Sequence, residues 1–167
     1  MSESGQAGTE PGPALTHLDR AGHARMVDVS GKDVTAREAR ASGRVLLSAE
    51  AIAALRAGTV PKGDALAVAR IAGIQGAKRT PDLVPLCHPI ALHSVAVELE
   101  VQDDSVAISA VTRTADRTGV EMEALTSVTV AALALIDMIK AVDPAAVITD
   151  VRVEEKTGGK TGSWRRP

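Results

Sequence analysis

The amino-acid sequence predicts a two-layer α+β sandwich in which helices cover one face of a mainly antiparallel sheet. Two segments with alternating apolar residues, 95–101 and 106–112, flank a short polar turn, which is typical of a β-hairpin. After Gly119 no Gly or Pro occurs until Pro144, and apolar residues recur there at helical spacing. A further alternating segment covers 146–153. The chain has 167 residues, a length that suits one domain.

Local sequence signals define the individual elements. Ser48 is a good N-cap for a short helix over 49–57, and Gly58 ends that helix. Asp64 is the expected cap of a second helix, which Pro81 limits. In chain order we expect a strand over 39–47, these two helices, the hairpin, the long helix and a strand over 146–153. This β-α-α-β-β-α-β order has the ferredoxin-like sandwich as its nearest common representative.

Composition and charge exclude several classes of protein. Hydrophobic residues make up 45% and charged residues 24%, as in ordinary globular domains. The chain has one Trp and no Phe or Tyr, which argues against a surface that stacks bases or sugars. Its net charge of −2 argues against a nucleic-acid partner. We expect no membrane partner, because no apolar run reaches the roughly 20 residues that a membrane helix needs.

Cysteine content and the two chain ends indicate location and domain limits. Cys87 is the only cysteine, so no internal disulfide can form, and we expect a reducing, cytoplasmic environment. Residues 1–14 are rich in Gly, Ser, Glu and Pro and are expected to be a flexible tail. Residues 15–163 then form a single domain, with 164–167 as a C-terminal tail.

An acidic and a basic residue lie close together near the end of the long helix. Asp137 and Lys140 are three residues apart, so they are neighbours on one helical face, and a surface ion pair is the simplest explanation. The segment 128–139 is apolar nearly all round, however, which predicts that the pair is buried. Because buried charges are costly unless they pair or work, we interpret the pair as a proton-transfer site.

Two further segments carry candidate ligand-binding residues. Glu121 and Glu123 lie in the first turn of the same helix, where they either complement the helix dipole or bind the amino edge of a guanine- or pterin-like ring. His88, in the Pro-rich loop after the second helix, could act as an acid, a base or a ligand. Cys87 is either a nucleophile or a small buried side chain. His88 and His93 with a carboxylate would hold a divalent ion only weakly.

Basic residues accompany glycines in three places, at 62–64, 76–79 and 156–162. Glycine lets backbone amides approach an anion, and lysine supplies positive charge. In a chain with no overall positive charge, these clusters favour one polyanionic small ligand.

The length of the long helix predicts an oligomer. Glu123 and Asp137 are 14 residues apart, about 21 Å along the axis, and can face the same way. That distance exceeds one nucleotide-sized pocket. Two copies packed antiparallel across a two-fold axis would bring Glu121 and Glu123 of one chain near Asp137 and Lys140 of the other. We therefore expect sites at a subunit interface.

Three long motifs resemble a known family: Leu-Cys-His-Pro at 86–89, Thr-Gly-Val-Glu-Met-Glu-Ala-Leu at 118–125 and Asp-Met-Ile-Lys-Ala-Val at 137–142. Together with Lys62-Gly63-Asp64 and the 156–162 segment, they make the chain closely similar to the MoaC family over residues 15–163. The resemblance implies a single catalytic domain with the ferredoxin-like fold.

The resemblance also implies an activity, a site and an assembly. The activity is that of a lyase of molybdenum cofactor biosynthesis, which converts 3′,8-cyclo-7,8-dihydro-GTP into cyclic pyranopterin monophosphate and pyrophosphate. No cofactor or protein-bound metal is implied, although Mg²⁺ could accompany the phosphates. The assembly is a homohexamer, a trimer of dimers with interface sites. The implied catalytic residues are Asp137, Lys140 and Lys62, and the implied substrate-binding residues are Arg37, Leu86, Cys87, His88, Glu121, Met122, Glu123, Lys156 and Lys160.

From the residues alone, two other functions stay open. One is a non-catalytic module that binds a nucleotide or pterin through the lysine-glycine clusters. The other is a metal-dependent hydrolase that uses His88, His93, Glu121 and Glu123.

Overall fold

A computed structural model describes residues 17–19 and 21–167, so the predicted tail over 1–14 lies outside the described residues. The helices and strands follow in this order: β1 (Thr35–Leu46), α1 (Ala49–Ala57), α2 (Ala65–Lys78), α3 (Thr80–Leu83), β2 (Ser94–Val101), β3 (Ser105–Asp116), α4 (Glu121–Ile139), β4 (Val147–Thr157) and β5 (Trp164–Arg165).

The five described strands form one sheet in the order β2-β3-β1-β4-β5. Every neighbouring pair is antiparallel, and β1 lies in the centre between β3 and β4. Strands β4, β1, β3 and β2, with helices in both crossovers, give the ferredoxin-like arrangement. The predicted α+β class is confirmed, and the seven predicted elements occur in the predicted order. Helix α3 and strand β5 are additional, and β5 lies within the predicted C-terminal tail over 164–167.

The caps that the sequence predicts are present. The Ser48 side chain accepts a hydrogen bond from the Ala51 amide, and Gly58 ends α1 in the left-handed conformation with φ 67°. The Asp64 side chain likewise accepts a hydrogen bond from the Ala67 amide at the start of α2.

Several element limits differ from the sequence-based expectation. β1 begins at Thr35 rather than at residue 39, and β4 continues to Thr157 rather than ending at 153. The continuation of β4 pairs with β1, so partner strands extend it beyond its own alternating segment. The short helix α3 was not predicted, because the prolines around it indicated an extended loop. Pro81 lies in its first turn, where proline needs no amide partner.

Helix α4 packs on the sheet beside α2. Val128, Leu135 and Ile139 are fully buried among the apolar side chains of β1 and β3. On its other side α4 approaches α2 closely, and a Cβ atom at Gly76 would lie 2.7 Å from the Cβ atom of Val130. Gly76 therefore permits close helix packing and is no part of an anion site.

By length and composition alone, α4 could cross a membrane. This disagrees with the expectation that no segment would pass that test. Core helices of folded domains pass it too, and nine residues of α4 are buried within the chain. Its apolar character is therefore accounted for in part by the core.

Candidate functional site

A cavity of about 400 Å³ lies at the N-terminal end of α4. Its wall is built by β1, the end of β4, the glycine-rich segment after β4, the loop before β2 and the first turn of α4. Eight of the twelve predicted site residues line it: Arg37, Leu86, Cys87, His88, Glu121, Met122, Glu123 and Lys156. The wall thus brings together a sheet end, a helix start and the irregular segments before β1, before β2 and after β4.

Arg37 forms part of this wall from β1. Its Nε donates a hydrogen bond of 2.9 Å to the Asp116 carbonyl, which fixes the guanidinium beside the end of β3. The segment after β4 passes so close to β1 that a Cβ atom at Gly158 would collide with the Ala36 carbonyl oxygen. Gly158 and Gly159 both have positive φ, 88° and 77°. Glycine is therefore required here for two reasons, the backbone conformation and the close approach.

Lys156 and Glu121 form an ion pair across the cavity wall. Lys156 Nζ lies 2.9 Å from Glu121 Oε1, and both side chains are about two-thirds or more covered. The pair joins the end of β4 to the first turn of α4. Glu121 thus also holds a lysine in place, a role beyond the dipole interaction considered from the sequence.

Glu123 is 3% exposed and lines the same cavity. Burial, with a smaller contribution from the nearby Glu121 carboxylate, raises the pKa of Glu123 from 4.5 to about 7. Burial also raises the pKa of the Cys87 thiol, to which the charge of Glu123 adds. A raised thiol pKa disfavours the thiolate, so Cys87 is placed here as a wall residue rather than as an activated nucleophile.

The His88 ring connects the loop before β2 to the segment before β1. Its Nε2 lies 2.6 Å from the Val27 carbonyl oxygen, so that nitrogen carries the proton and donates. Val27 and His88 both line the cavity. His93 does not line it and instead accepts a hydrogen bond from the Ala115 amide at Nδ1, 3.3 Å away. The four residues of the metal-dependent alternative are therefore not brought together.

Within residues 17–19 and 21–167, no group of three or more His, Cys, Asp or Glu side chains could hold a metal ion. This finding concerns the arrangement of side chains only.

A second cluster lies near the C-terminal end of α4. Lys62 Nζ is 2.9 Å from Asp137 Oδ2, and Lys140 Nζ is 2.7 Å from Asp137 Oδ1. The hydrogen bond from Lys140, followed by that from Lys62, lowers the pKa of Asp137 from 3.8 to about 2. Near neutral pH, Asp137 is therefore an anion that holds two ammonium groups, one on each oxygen.

The expectation that α4 buries Asp137 and Lys140 is wrong for the single chain. Their side chains are 56% and 57% exposed, and that of Lys62 is 42% exposed. The sheet and α2 cover two sides of α4. Asp137 lies on the face that is left, and Lys62 reaches it from the segment before α2. The apolar neighbours Met138 and Ile139 point to the core instead.

The predicted site residues thus fall into two groups within one chain. The cavity group surrounds the first turn of α4, and the Lys62–Asp137–Lys140 group lies about 21 Å further along the helix axis. None of the three members of the second group lines the cavity. Lys160 is exposed in the segment after β4, beside the lining residues Gly158 and Thr161, but does not line the cavity itself.

The sequence-based selection missed several lining residues. His17, Lys32 and Thr118 belong to the cavity wall, as do Glu38 and Thr161. Thr118 and Thr161 lie within motifs that carry the family resemblance, at 118–125 and 156–162, so the sequence offered a signal for them. Lys32 lies in an irregular segment that Arg117 Nε holds through the Lys32 carbonyl, 2.9 Å away, and no local signal indicates that contact.

Comparison with known proteins places this geometry in a family. The family model described as "MoaC family" matches residues 26–159. The chain is 68% identical to the cyclic pyranopterin monophosphate synthase of Streptomyces coelicolor, over 96% of this chain and 94% of that protein. It is 69% identical to the Streptomyces avermitilis protein of the same name, over 95% and 96%. It is 58% identical to cyclic pyranopterin monophosphate synthase 3 of Mycobacterium tuberculosis strain H37Rv, over 91% and 86%. On these matches, the chain belongs to the MoaC family.

Proposed function

We propose that this chain is a cyclic pyranopterin monophosphate synthase that acts in molybdenum cofactor biosynthesis. The observation that carries the proposal is the identity of 67–69% to synthases of that name over at least 92% of the chain. The cavity is consistent with it, because cationic groups and a buried carboxyl group line the same cavity. A nucleotide-derived substrate needs both kinds of group.

The proposed reaction is that of a lyase. 3′,8-Cyclo-7,8-dihydro-GTP is converted into cyclic pyranopterin monophosphate. A hydroxyl oxygen of the substrate bonds to the α-phosphorus and gives up its proton, which closes the cyclic phosphate, while the bond from that phosphorus to the leaving pyrophosphate breaks. The charge that develops on the leaving group requires fixed cations. Arg37 and Lys156 provide two cations on the cavity wall, and Gly158 permits close approach of the backbone. Lys160 could add a third cation from its exposed position.

The first turn of α4 and the loop before β2 are proposed to hold the ring system. Glu123 offers a carboxyl group inside the cavity, and Met122 and Leu86 offer apolar contact. Because the pKa of Glu123 is about 7, its carboxyl group can accept or donate a hydrogen bond to a ring edge near neutral pH. Cys87 and His88 complete this side of the wall.

Ring opening and reclosure require several proton transfers. We place these at Lys62, Asp137 and Lys140, where one carboxylate contacts two ammonium groups. In this arrangement the ammonium groups carry the protons, and Asp137 orients them. Exclusion of water would strengthen both the orientation of the ammonium groups by Asp137 and the proton transfer from them. In the single chain, however, the cluster is half exposed.

A homo-oligomer with shared sites would supply those surroundings. The two groups of residues lie at opposite ends of α4, so a second copy packed antiparallel would unite them. Leu133 on α4 and Ile71 on α2 are 61% and 62% exposed, and their apolar side chains favour coverage by a partner. We propose a trimer of dimers, a hexamer, in the cytoplasm, with no nucleic-acid or membrane partner.

Incubation of the protein with 3′,8-cyclo-7,8-dihydro-GTP tests the activity. We expect stoichiometric release of pyrophosphate together with a fluorescent pterin, and neither product from GTP. Binding without any product would favour the non-catalytic module instead. A parallel reaction with a chelator tests the prediction that no protein-bound metal is needed. Activity that persists in the chelator agrees with that prediction.

A further inference from the structure

The last residues of the chain are folded back onto β4. Trp164 and Arg165 form β5, with Trp164 directly opposite Lys156 and Arg165 opposite Glu155. The Arg166 amide then donates a hydrogen bond of 2.8 Å to the Glu154 carbonyl. These contacts make 164–166 part of the sheet edge.

The side chains of Trp164 and Arg166, which we call the C-terminal clasp, reinforce this return. Arg166 Nε donates a hydrogen bond of 2.8 Å to the Val153 carbonyl and lies 3.8 Å from Glu154 Oε2. Its guanidinium carbon lies 5.6 Å from the centre of the Trp164 ring, within the range of a cation–π contact. The clasp therefore joins the chain end to two successive residues of β4.

Between β4 and β5, residues 158–163 form a glycine-rich turn whose inner side reaches the cavity. Gly158, Gly159 and Gly162 all have positive φ, and Gly158 and Thr161 line the cavity. Glycines lose more conformational freedom on ordering than other residues. Such a turn keeps one shape only when it is held at both ends, and here β4 holds one end and the clasp the other.

We propose that Arg166 and Trp164 are positioning residues that hold the glycine-rich turn, and with it Lys156, in place at the cavity. Neither side chain of the clasp lines the cavity, so the clasp acts through the turn. Ordering the turn before substrate arrives lowers the cost of binding. The functional part of this proposal rests on the proposed function, because it concerns the phosphate-binding side of that substrate site.

Two measurements on Arg166→Ala test the clasp, with Arg165→Ala as the matched control. Arg165 has the same charge one residue away, but its side chain is 84% exposed and makes only a long ion pair of 3.7 Å with Glu155. The first measurement is amide hydrogen exchange of residues 156–162, which needs no substrate. The second is the steady-state kinetics of the full-length enzyme.

We expect Arg166→Ala to speed exchange over 156–162 by about tenfold and to leave α4 unchanged. We expect KM to rise about fivefold with kcat within about twofold, because the clasp affects binding and does not reach the proton-transfer groups. Arg165→Ala should change neither quantity by more than about twofold.

Equal amide exchange over 156–162 in the two variants would contradict the proposal that the clasp holds the turn. An unchanged KM in the Arg166→Ala enzyme would contradict it as well. A wild-type protein that does not turn over the substrate would overturn the proposed function instead. The exchange measurement alone would then decide whether the clasp orders the turn.

Discussion

Glu123 and Asp137 are carboxylic acids on one helix, and α4 places them in opposite environments. Glu123 is buried beside another carboxylate, which raises its pKa to about 7. Asp137 is exposed between two ammonium groups, which lower its pKa to about 2. Burial dominates at one end and ion pairing at the other.

This difference separates two kinds of chemistry. Near neutral pH, Glu123 can change its charge in response to a ligand, whereas Asp137 keeps a constant negative charge. The N-terminal end of α4 is thus suited to recognition of a ring with donor and acceptor edges. The C-terminal end is suited to holding ammonium groups in fixed positions for proton transfer.

Removal of the constant charge should have the largest effect. We expect Asp137→Ala to lower kcat by about 1,000-fold, because Lys62 and Lys140 lose the carboxylate that orients them. Substrate affinity should stay within about tenfold, or 1.4 kcal/mol, because the cavity is intact. Asp82→Ala is the control, since Asp82 is an exposed aspartate that pairs with a single arginine, Arg79. A large loss of affinity with Asp137→Ala would place Asp137 in binding instead.

Mixing two inactive variants tests whether both ends of α4 serve one site. Asp137→Ala disables the C-terminal end, and Arg37→Ala disables the cavity. If the site combines one end from each chain, a mixed dimer contains one intact site out of two. Half of the dimers within randomly assembled hexamers are mixed, so the activity of the doubly tagged hexamers should return to about a quarter of the wild-type value. The recovered activity is measured by co-expressing the two variants with different affinity tags and assaying pyrophosphate release in the doubly tagged fraction. No recovery in that fraction would exclude shared sites.

The fold could be predicted largely because its signals are local. Ser48, Gly58 and Asp64 set helix limits through contacts within a few residues, and the structure confirms them. The end of β4 at Thr157 depends on pairing with β1, which is more than 100 residues away in sequence. Such limits are set by tertiary contacts, so alternation along β4 alone indicated too early an end.

In the site, too, local motifs indicate some features, and tertiary contacts determine the others. The 118–125 motif indicates Glu121 and Glu123, but not that one of them pairs with Lys156 while the other is buried. The apolar composition of α4 predicted burial of Asp137 as well, yet α2 and the sheet cover only part of the helix. Which face of a helix is covered depends on its neighbours, and composition averaged over the helix does not determine it.

The raised pKa of the buried Glu123 should affect how the free energy of unfolding depends on pH. From about pH 4.5 to 7 the native chain retains the Glu123 proton that the unfolded chain loses, so this group lowers the free energy of unfolding as pH rises. Glu123→Gln removes the titration. Between about pH 5 and pH 8, we expect the free energy of unfolding of the Glu123→Gln variant to decrease by roughly 3 kcal/mol less than that of wild type.

Urea unfolding at both pH values measures this difference, and Glu100→Gln is the control. Glu100 is an exposed glutamate on β2. Its replacement should leave the pH dependence close to that of wild type. Equal pH dependence in wild type and Glu123→Gln would contradict a raised pKa at Glu123.

The exposed end should give the smallest effect, a change in one pKa with little change in stability. Lys62→Gln removes one of the two ammonium groups from Asp137, so the pKa of Asp137 should rise from about 2 toward 3.8 while Lys140 still holds it below that value. The carboxyl-carbon chemical shift of aspartate-labelled protein, followed as pH falls, measures the change. Lys78→Gln on α2 is the control, because Lys78 is an exposed lysine that does not contact Asp137. For a separate chain, in which both partners of Asp137 are exposed, added salt should reduce the difference between wild type and Lys62→Gln, whereas the shift at the buried Glu123 should persist. A salt-independent pKa at Asp137 would mean that the cluster is covered in solution, as the shared site requires.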